Sequence, residues 1–460
     1  MHTSGQKTAR VSSDGRTPHR YHQILRGLVL ELSSIIIVCG TLLAFSLVSA
    51  RLRGTILTAP LIFAVFGFAI SVYGFDSFNI DLGHSAIHLI AETTLILVLF
   101  SDAARIDIAQ VREDHNLPQR MLLIGMPMLM LLGTLIASFM FPHFSFWEAA
   151  LLAALLAPTD AALGQMVVSA KIVPVRIRQA INIESGLNDG IALPAVLLFA
   201  ALAGMQANVS STGQWVTFFI LQILLGPMVG ILIGLVGARL IDTSTRRRWI
   251  IEAFQGIAIL ALAILLYTIA EAMGGNGFIA AFVGGMVFGN NLQHDCDFLF
   301  EFMETEGQLL MLITFFVFGA VLLPEAMTHI SISYVCYALL SLTVIRVIPI
   351  MLSLIGARIH FATQLFLGWF GPRGLASILF VLLILEETHI PHRHELLTIT
   401  ILTVAFSIIL HGISAAPYAR WYGGFTKRLG TCAENIEVME LPLRNGTVVS
   451  KNNQESKEKD

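Results

Sequence analysis

Three carboxylates lie in two apolar stretches that are each long enough to cross a lipid bilayer. Asp160 follows Pro158 and Thr159 in the first stretch, and Glu184 and Asp189 lie in the second. A single charged side chain at the centre of a bilayer costs about 2.5–3.5 kcal/mol on insertion scales. Three carboxylates in one such region therefore predict a cation and proton site inside a membrane transporter.

Pro158 predicts an interruption of the first stretch. Proline removes one hydrogen bond from a helix and frees the carbonyl oxygen one turn earlier. Inside a membrane such backbone is tolerated only where protein or a wet cavity satisfies it. The carbonyl of Thr159 and the carboxylate of Asp160 adjoin this break, and hard cations prefer oxygen ligands. We predict both groups as cation ligands, although a kink with Asp160 as a capping carboxylate is an open alternative.

The second stretch places its polar residues on little more than one helical turn. Ser185 and Asp189 are four residues apart, so their hydroxyl and carboxylate lie on one helix face. Glu184 and Asn188 are also four apart. This spacing predicts an ion pocket in which Asp189 binds the ion. Glu184 has a structural alternative, because an arginine partner would neutralise it.

A second proline interruption carries positive charge. Pro372 and Arg373 lie between two glycines in the twelfth apolar stretch. Interruptions at corresponding positions of two halves indicate the site of an inverted-repeat transporter. Arg346, in the eleventh stretch, needs a carboxylate partner if it is buried, and we predict that Glu184 is that partner.

Composition sets the broad class. The chain has 460 residues, of which 55% are hydrophobic and only 13% are charged, whereas soluble domains carry about 25% charged residues. This predicts an all-α, polytopic membrane protein. A net charge of −3 gives no indication of nucleic-acid binding, and the four cysteines lack the spacing of a metal site. We find no nucleophile–base set, so we predict neither an enzyme nor a cofactor.

About thirteen segments are apolar enough to span a membrane, a span needing about 20 residues. The predicted segments are 29–50, 55–73, 82–103, 121–141, 146–170, 180–205, 214–238, 250–272, 277–291, 307–324, 330–356, 363–386 and 394–418. We divide the chain into a polar tail (1–28), a transporter domain (29–418) and a short polar cytoplasmic tail (419–460). Within the transporter domain we predict a first repeat (29–205), a linker helix (214–238) and a second repeat (250–418).

Basic residues concentrate in the loops after the first, third, fifth and seventh segments. Such loops face the cytoplasm in most membrane proteins. Thirteen spans then place the C-terminus inside and the N-terminus outside. The basic residues of the N-terminal tail argue for the opposite side, and an even number of spans would remove the conflict.

Four short motifs together resemble the monovalent cation:proton antiporters of the NhaP-type sodium/proton antiporter family. They are Ala157-Pro158-Thr159-Asp160, Glu184-Ser185-Gly186-Leu187-Asn188-Asp189-Gly190, Asn276-Gly277-Phe278-Ile279-Ala280 and Gly371-Pro372-Arg373-Gly374. The resemblance implies about thirteen helices in two inverted six-helix repeats, crossed broken helices and a homodimer. It also implies a multi-pass protein of the cell membrane that contributes to pH homeostasis.

The resemblance implies a role for each matching residue. Asp189 would carry the ion and the proton, with Asp160, Ser185 and the Thr159 carbonyl as ligands of transported sodium. Glu184 would contribute through water or through its arginine. Asn188 stands where electrogenic relatives have an aspartate, which implies electroneutral exchange. Supporting positions are implied for Arg346, Arg373, Pro158 and Pro372. A potassium/proton antiporter is the nearest alternative, and a substrate-coupled symporter is a more distant one.

Overall fold

The structure is a computed structural model. It describes residues 36–52, 55, 57–73, 84–106, 108, 116–205, 212–292, 297–387, 390–430 and 432–435. Within these ranges every regular element is a helix. The predicted polar tail 1–28 lies outside them, as does the chain after residue 435.

Sixteen helices, several of them carrying a π-helical turn or a proline, make up the described part of the chain. In chain order they are α1 (Ile36–Leu52), α2 (Ala59–Tyr73), α3 (His84–Ala104), α4 (Asn116–Arg120, a π turn Met121–Gly125, and Met126–Met140), α5 (Phe146–Leu155), α6 (Ala161–Val168), α7 (Val175–Met205), α8 (Thr212–Arg246), α9 (Glu252–Ala272), α10 (Gly277–Asn291), α11 (Asp297–Val317, a π turn Phe318–Leu322, and Leu323–Thr328), α12 (Ile332–Leu342), α13 (Val344–Ser353), α14 (Phe361–Trp369), α15 (Leu375–Glu387) and α16 (Arg393–Leu429). A short 3-10 helix, Ala433–Asn435, follows α16.

Within the described ranges, seven helical stretches are long and apolar enough to cross a membrane. They are Leu117–Met140, Val175–Gly204, Leu224–Arg246, Glu252–Ala272, Thr305–Thr328, Ile332–Ser353 and Arg393–Leu429. Shorter apolar helices such as α5 and α10 lie among them. Helices that are apolar all round are typical of a buried core or a membrane span, so the architecture agrees with the class predicted from composition.

Local sequence signals explain where the shorter helices begin. Ser145 and Glu148 form a capping box at the start of α5, in which each side chain binds the other residue's backbone N–H. At the start of α10 the Asn276 side chain accepts a hydrogen bond of 3.0 Å from the Ile279 backbone. Both devices satisfy N–H groups that a helix start leaves without an intrahelical partner.

Glycines allow close packing around α10. The spacing of Gly226, Gly230 and Gly234 in α8, and of Gly285 and Gly289 in α10, predicts close helix contacts. A Cβ atom at any of these five positions would press against a backbone oxygen of a neighbouring helix. The predicted contacts are therefore present, and α10 packs against both α8 and α3.

Two of the apolar stretches that the sequence predicts as membrane spans are interrupted where the prolines predict it. Helix α5 ends before Pro158 and α6 resumes after Asp160, while α14 ends before Pro372 and α15 resumes after Gly374. The Asp160 backbone N–H donates a hydrogen bond of 2.8 Å to the Pro372 carbonyl. The two interruptions therefore touch, so that each satisfies part of the other's free backbone.

Several helix boundaries differ from the sequence prediction. The predicted segment 330–356 is divided at Thr343, whose backbone angles are φ −109° and ψ −90°. The last helix continues to Leu429, beyond the predicted end at residue 418. Neither Thr343 nor its two neighbours in the chain are proline or glycine, so the local sequence does not predict this division of the helix.

Candidate functional site

Asp160 joins the two interrupted stretches. It is buried, and its Oδ2 accepts a hydrogen bond of 3.0 Å from the backbone N–H of Leu375, the first residue of α15. Asp160 also directly precedes Ala161, where α6 begins. Helix N-termini carry partial positive charge. The carboxylate of Asp160 thus lies beside the starts of two helices, where a negative charge is stabilised.

Arg373 supplies the opposite charge at the end of α5. Its fully buried side chain donates from Nη1 to the carbonyls of Ala157, at 2.8 Å, and Pro158, at 3.2 Å. Its backbone N–H donates to Ser407 Oγ at 2.7 Å. The interruption at Pro158 leaves these carbonyls without helical partners. Arg373 therefore satisfies the break and places positive charge where the helix dipole is negative.

Glu184 and Arg346 form a buried, two-pronged ion pair. Nη1 of Arg346 lies 2.8 Å from Glu184 Oε1, and Nη2 lies 3.0 Å from Oε2. Both side chains are almost fully buried. Arginine and carboxylate have matching planar geometry for such paired hydrogen bonds. The pairing predicted from the sequence is present, and Glu184 consequently has a structural task whatever its part in ion binding.

Thr159 connects the first interruption to α7. Its hydroxyl donates to Glu184 Oε2 at 3.2 Å and lies 3.1 Å from Ser185 Oγ. Asn188 Nδ2 forms a hydrogen bond to the same hydroxyl and lies 3.4 Å from the Thr159 carbonyl oxygen. A continuous chain of polar contacts therefore runs from Arg346 through Glu184 and Thr159 to Asn188.

Asp189 follows Asn188 on α7, one turn after Ser185, and is buried. The next residue, Gly190, packs so tightly against the Phe282 ring of α10 that a Cβ atom would collide with it. Gly186 lies near Ile106, which follows α3. This part of α7 is therefore enclosed between the interrupted stretches on one side and α3 and α10 on another.

The two glycines around Pro372 allow charged groups to approach the backbone. A Cβ atom at Gly371 would overlap the guanidinium of Arg346, and one at Gly374 would overlap Oδ2 of Asp160. Hence the motif Gly371-Pro372-Arg373-Gly374 does more than interrupt a helix. It makes room for one positive and one negative group beside the same short stretch of backbone.

Direct contacts thus group Thr159 with Glu184, Ser185 and Asn188, and Asp189 follows Asn188 in the chain. A second layer of polar residues, none of them among the predicted site residues, supports the two interruptions. Ser407 accepts from the Arg373 backbone, His411 Nε2 lies 2.9 Å from the carbonyl of Trp369 at the end of α14, and Ser377 Oγ donates to Leu155 at 2.7 Å. Ser407 and His411 are four residues apart in an apolar helix, a spacing that would have indicated them.

Fold and site define a polytopic helical membrane protein whose core holds two interrupted helices and a buried set of charged groups. A family described as "Sodium/hydrogen exchanger, transmembrane" matches residues 34–421. The chain belongs to this family, which is one of transporters and not of enzymes.

Relatives with named activities are similar over most of the chain. A K+/H+ antiporter, NhaP, of Alkalimonas amylolytica is 25% identical over 400 residues, which cover 84% of this chain and 66% of that protein. A K+/H+ antiporter, NhaP2, of a Shewanella species is 22% identical over 73% of this chain and 58% of its own length. A probable Na+/H+ antiporter of Schizosaccharomyces pombe is 25% identical over 63% of this chain and 40% of its own length. The aligned part of this chain thus spans less than two thirds of each relative's length.

The fold is similar to a solved structure. The sodium proton antiporter MjNhaP1 of Methanocaldococcus jannaschii superimposes with a TM-score of 0.72 and 19% sequence identity, covering 87% of this chain and all of that chain. The likeness confirms the helical fold expected from the sequence.

Proposed function

We propose that the chain exchanges a monovalent cation, sodium in the first instance, for a proton across the cell membrane. The observation that carries the proposal is the buried contact of Thr159 with Ser185 beside Asp160 and the two interrupted helices, with Asp189 buried one turn after Ser185 on α7. Family membership supports the same activity. Carboxylate, hydroxyl and carbonyl oxygens suit a small hard cation.

Asp189 is the group that carries the cation and the proton in turn, and Asp160, Ser185 and the Thr159 carbonyl complete the cation site. Glu184 has a different role, because Arg346 engages both of its carboxylate oxygens. It fixes the Thr159 hydroxyl, which in turn lies beside Ser185. Glu184 therefore shapes the site through Thr159.

Competition for one carboxylate is sufficient to couple the two fluxes. Burial disfavours an ionised carboxylate, whereas a bound cation favours it. A proton and a cation that need the same oxygens exclude each other. An unneutralised charge costs about 2.5–3.5 kcal/mol at the bilayer centre, so the site crosses only when one of the two is bound. The result is one-for-one, electroneutral exchange, as Asn188 implies by its lack of charge.

The proposal includes a larger architecture. About thirteen spans form two inverted repeats with α8 as the linker, the basic loops face the cytoplasm with the C-terminus, and two copies form a homodimer. The moving part contains α5, α6, α7, α14, α15 and α16. It rocks against the other helices, as in other transporters built from repeats. The contacts of α7 with Phe282 and Ile106 lie at the boundary that such a motion crosses.

The experiment is exchange of sodium for protons in everted or reconstituted vesicles. We expect Asp189→Asn to reduce exchange to the level of protein-free vesicles, and Asp160→Asn to raise the sodium concentration for half-maximal exchange. Asp242→Asn is a matched control, since Asp242 is a similarly buried aspartate in α8. Wild-type rates in Asp189→Asn would refute the proposal.

The same vesicles test the competition. If a proton and sodium occupy one site, the apparent KM for sodium rises as pH falls, by about tenfold per pH unit where proton binding dominates. An apparent KM that does not change with pH would exclude a shared site. Exchange that responds to an imposed membrane potential would exclude the one-for-one stoichiometry.

Potassium is the second candidate cation, because the relatives from Alkalimonas and Shewanella are named as K+/H+ antiporters. Parallel measurements with potassium, sodium and lithium decide between them. Equal dissipation of the pH gradient by sodium and potassium would mean that the site does not select by ion size.

A further inference from the structure

Two histidines and a glutamate meet at the end of the helices that the proposed topology places away from the basic loops. His143 lies in the connection between α4 and α5, His392 directly precedes α16, and Glu395 lies in the first turn of α16. One possible ligand atom from each lies within 4.8 Å of the other two. The closest approach, 3.0 Å, joins His143 Nε2 and Glu395 Oε2. All three side chains retain access to solvent.

His392 is held as metal-binding histidines are held. Its Nδ1 lies 2.9 Å from Oε1 of Glu148, which also accepts from the His392 backbone at 3.2 Å. Glu148 is buried and is itself fixed by the capping box with Ser145. Histidines that bind metals usually donate their other ring N–H to a carboxylate or carbonyl, which fixes the ring and raises its basicity. Donation from Nδ1 to Glu148 leaves Nε2 of His392 with the lone pair that a metal requires.

Glu395 has a supporting contact of the same kind. The Tyr334 hydroxyl donates to its Oε2 at 2.8 Å. Carboxylates that bind metals are commonly hydrogen-bonded to a neighbouring group in this way. Two of the three candidate ligands therefore carry the outer contacts of a metal site, and those contacts come from two further helices, α5 and α12.

We propose that His143, His392 and Glu395 bind a divalent transition-metal ion of the zinc class. Two imidazoles and one carboxylate form a three-ligand set that leaves one position for water. Zinc holds such ligands at about 2.0–2.2 Å, so tetrahedral ligand atoms lie about 3.3 Å apart. The 3.0 Å between His143 Nε2 and Glu395 Oε2 is already near this value, and the remaining separations, all within 4.8 Å, need a shortening that rotation of the partly exposed His143 and Glu395 side chains provides. Imidazole ligands favour zinc, copper or nickel over magnesium or calcium.

Metal binding at this place joins separate parts of the chain. Its ligands belong to the connection between α4 and α5 and to the start of α16, and the supporting groups belong to α5 and α12. An ion bound to the folded protein but not to the unfolded chain raises stability by mass action. We therefore expect zinc to raise the unfolding temperature of the protein, independently of any effect on ion exchange.

The test uses the purified full chain in detergent, freed of metals with a chelator and titrated with Zn2+ against a chromophoric competitor. We expect one saturable site per chain. His143→Ala, His392→Ala and Glu395→Gln should each remove it, and Tyr334→Phe should weaken it about tenfold, at the lower end of the effect of outer contacts on metal affinity. His394→Ala is the control, because His394 is an exposed histidine beside the cluster but not part of it.

Size-exclusion profiles confirm that each variant is folded before titration, and His143→Ala is the most informative because its side chain is half-exposed in a loop. An unchanged zinc affinity in a folded His143→Ala/His392→Ala double variant would overturn the proposal. So would the absence of saturable binding in the wild-type chain, which would leave the cluster as a hydrogen-bonded contact alone. Equal competition by Mg2+ or Ca2+ would exclude the proposed class of metal.

Discussion

Removal of either member of the Glu184–Arg346 pair should destabilise the protein far more than removal of both. The two hydrogen bonds measure 2.8 and 3.0 Å, and both side chains are almost fully buried. Glu184→Gln or Arg346→Met alone leaves one charge buried without its partner, at a cost of about 3–5 kcal/mol. The double variant leaves no unpaired charge and should cost much less.

The size of the effect distinguishes charge from hydrogen bonding. Hydrogen bonds between membrane helices contribute on average about 0.6 kcal/mol in double-mutant cycles. If the pair acted only through its two hydrogen bonds, each single variant would lose about 1 kcal/mol. A loss several times larger shows that the uncompensated charge dominates. Thr159→Val, which removes the hydrogen bonds of an uncharged side chain to the same cluster, gives the smaller reference value.

The assay is unfolding of the purified wild type, both single variants and the double variant in one detergent, analysed as a cycle. The control is Arg178→Met. Arg178 is also buried, and it donates to the backbone carbonyls of Val173 and Val168. Adding Glu184→Gln to Arg178→Met should not restore the stability that Arg178→Met loses. Additive losses in the Glu184–Arg346 cycle would refute the reasoning, because they would mean that the two charges do not compensate each other.

Two further predictions test the glycine beside the site and the segment after α16. Gly374→Ala places a methyl group against Oδ2 of Asp160, so we expect loss of exchange in vesicles and destabilisation by about 1–3 kcal/mol. The control is Gly424→Ala, which should preserve exchange and stability because a Cβ atom there meets nothing within 4 Å. Burial opposes ionisation of Glu434, but hydrogen bonds led by those from the backbone and ring of His360 lower its pKa to about 2 from the usual 4.5. The stability that ionised Glu434 contributes is thus complete above pH 4.5 and lost as pH falls towards 2. Glu434→Gln should therefore reduce the dependence of the free energy of unfolding on pH across that range. A dependence equal to that of the wild type would contradict the assignment.

The sequence was sufficient to predict the parts of the site that depend on scarce residues. Charged residues are rare in the apolar segments, so Arg346 had few possible partners, and Glu184 was the one chosen. Prolines are strong local signals, so both interruptions were predictable from Pro158 and Pro372. In these cases the cost of a buried charge or of a lost backbone hydrogen bond leaves few arrangements open.

Contacts that use the backbone were not predictable. Asp160 caps a helix that begins 215 positions later in the chain, at Leu375, and Arg373 binds two carbonyls of the other interruption. Every residue has a carbonyl and almost every residue has an N–H. A backbone hydrogen-bond partner can therefore be any residue type, and only the folded structure reveals which residue supplies it.

The charges of the predicted site residues agree with one monovalent ion as the proposed cargo. The site holds two arginines, Arg346 and Arg373, and three carboxylates, Asp160, Glu184 and Asp189. With all five ionised, these residues carry one negative charge in excess. One proton or one monovalent cation brings the sum to zero, whereas a divalent cation would leave it positive. A net charge makes crossing the membrane costly. The charge sum that sets the proposed one-for-one stoichiometry therefore also prevents the site from crossing when neither a proton nor a cation is bound.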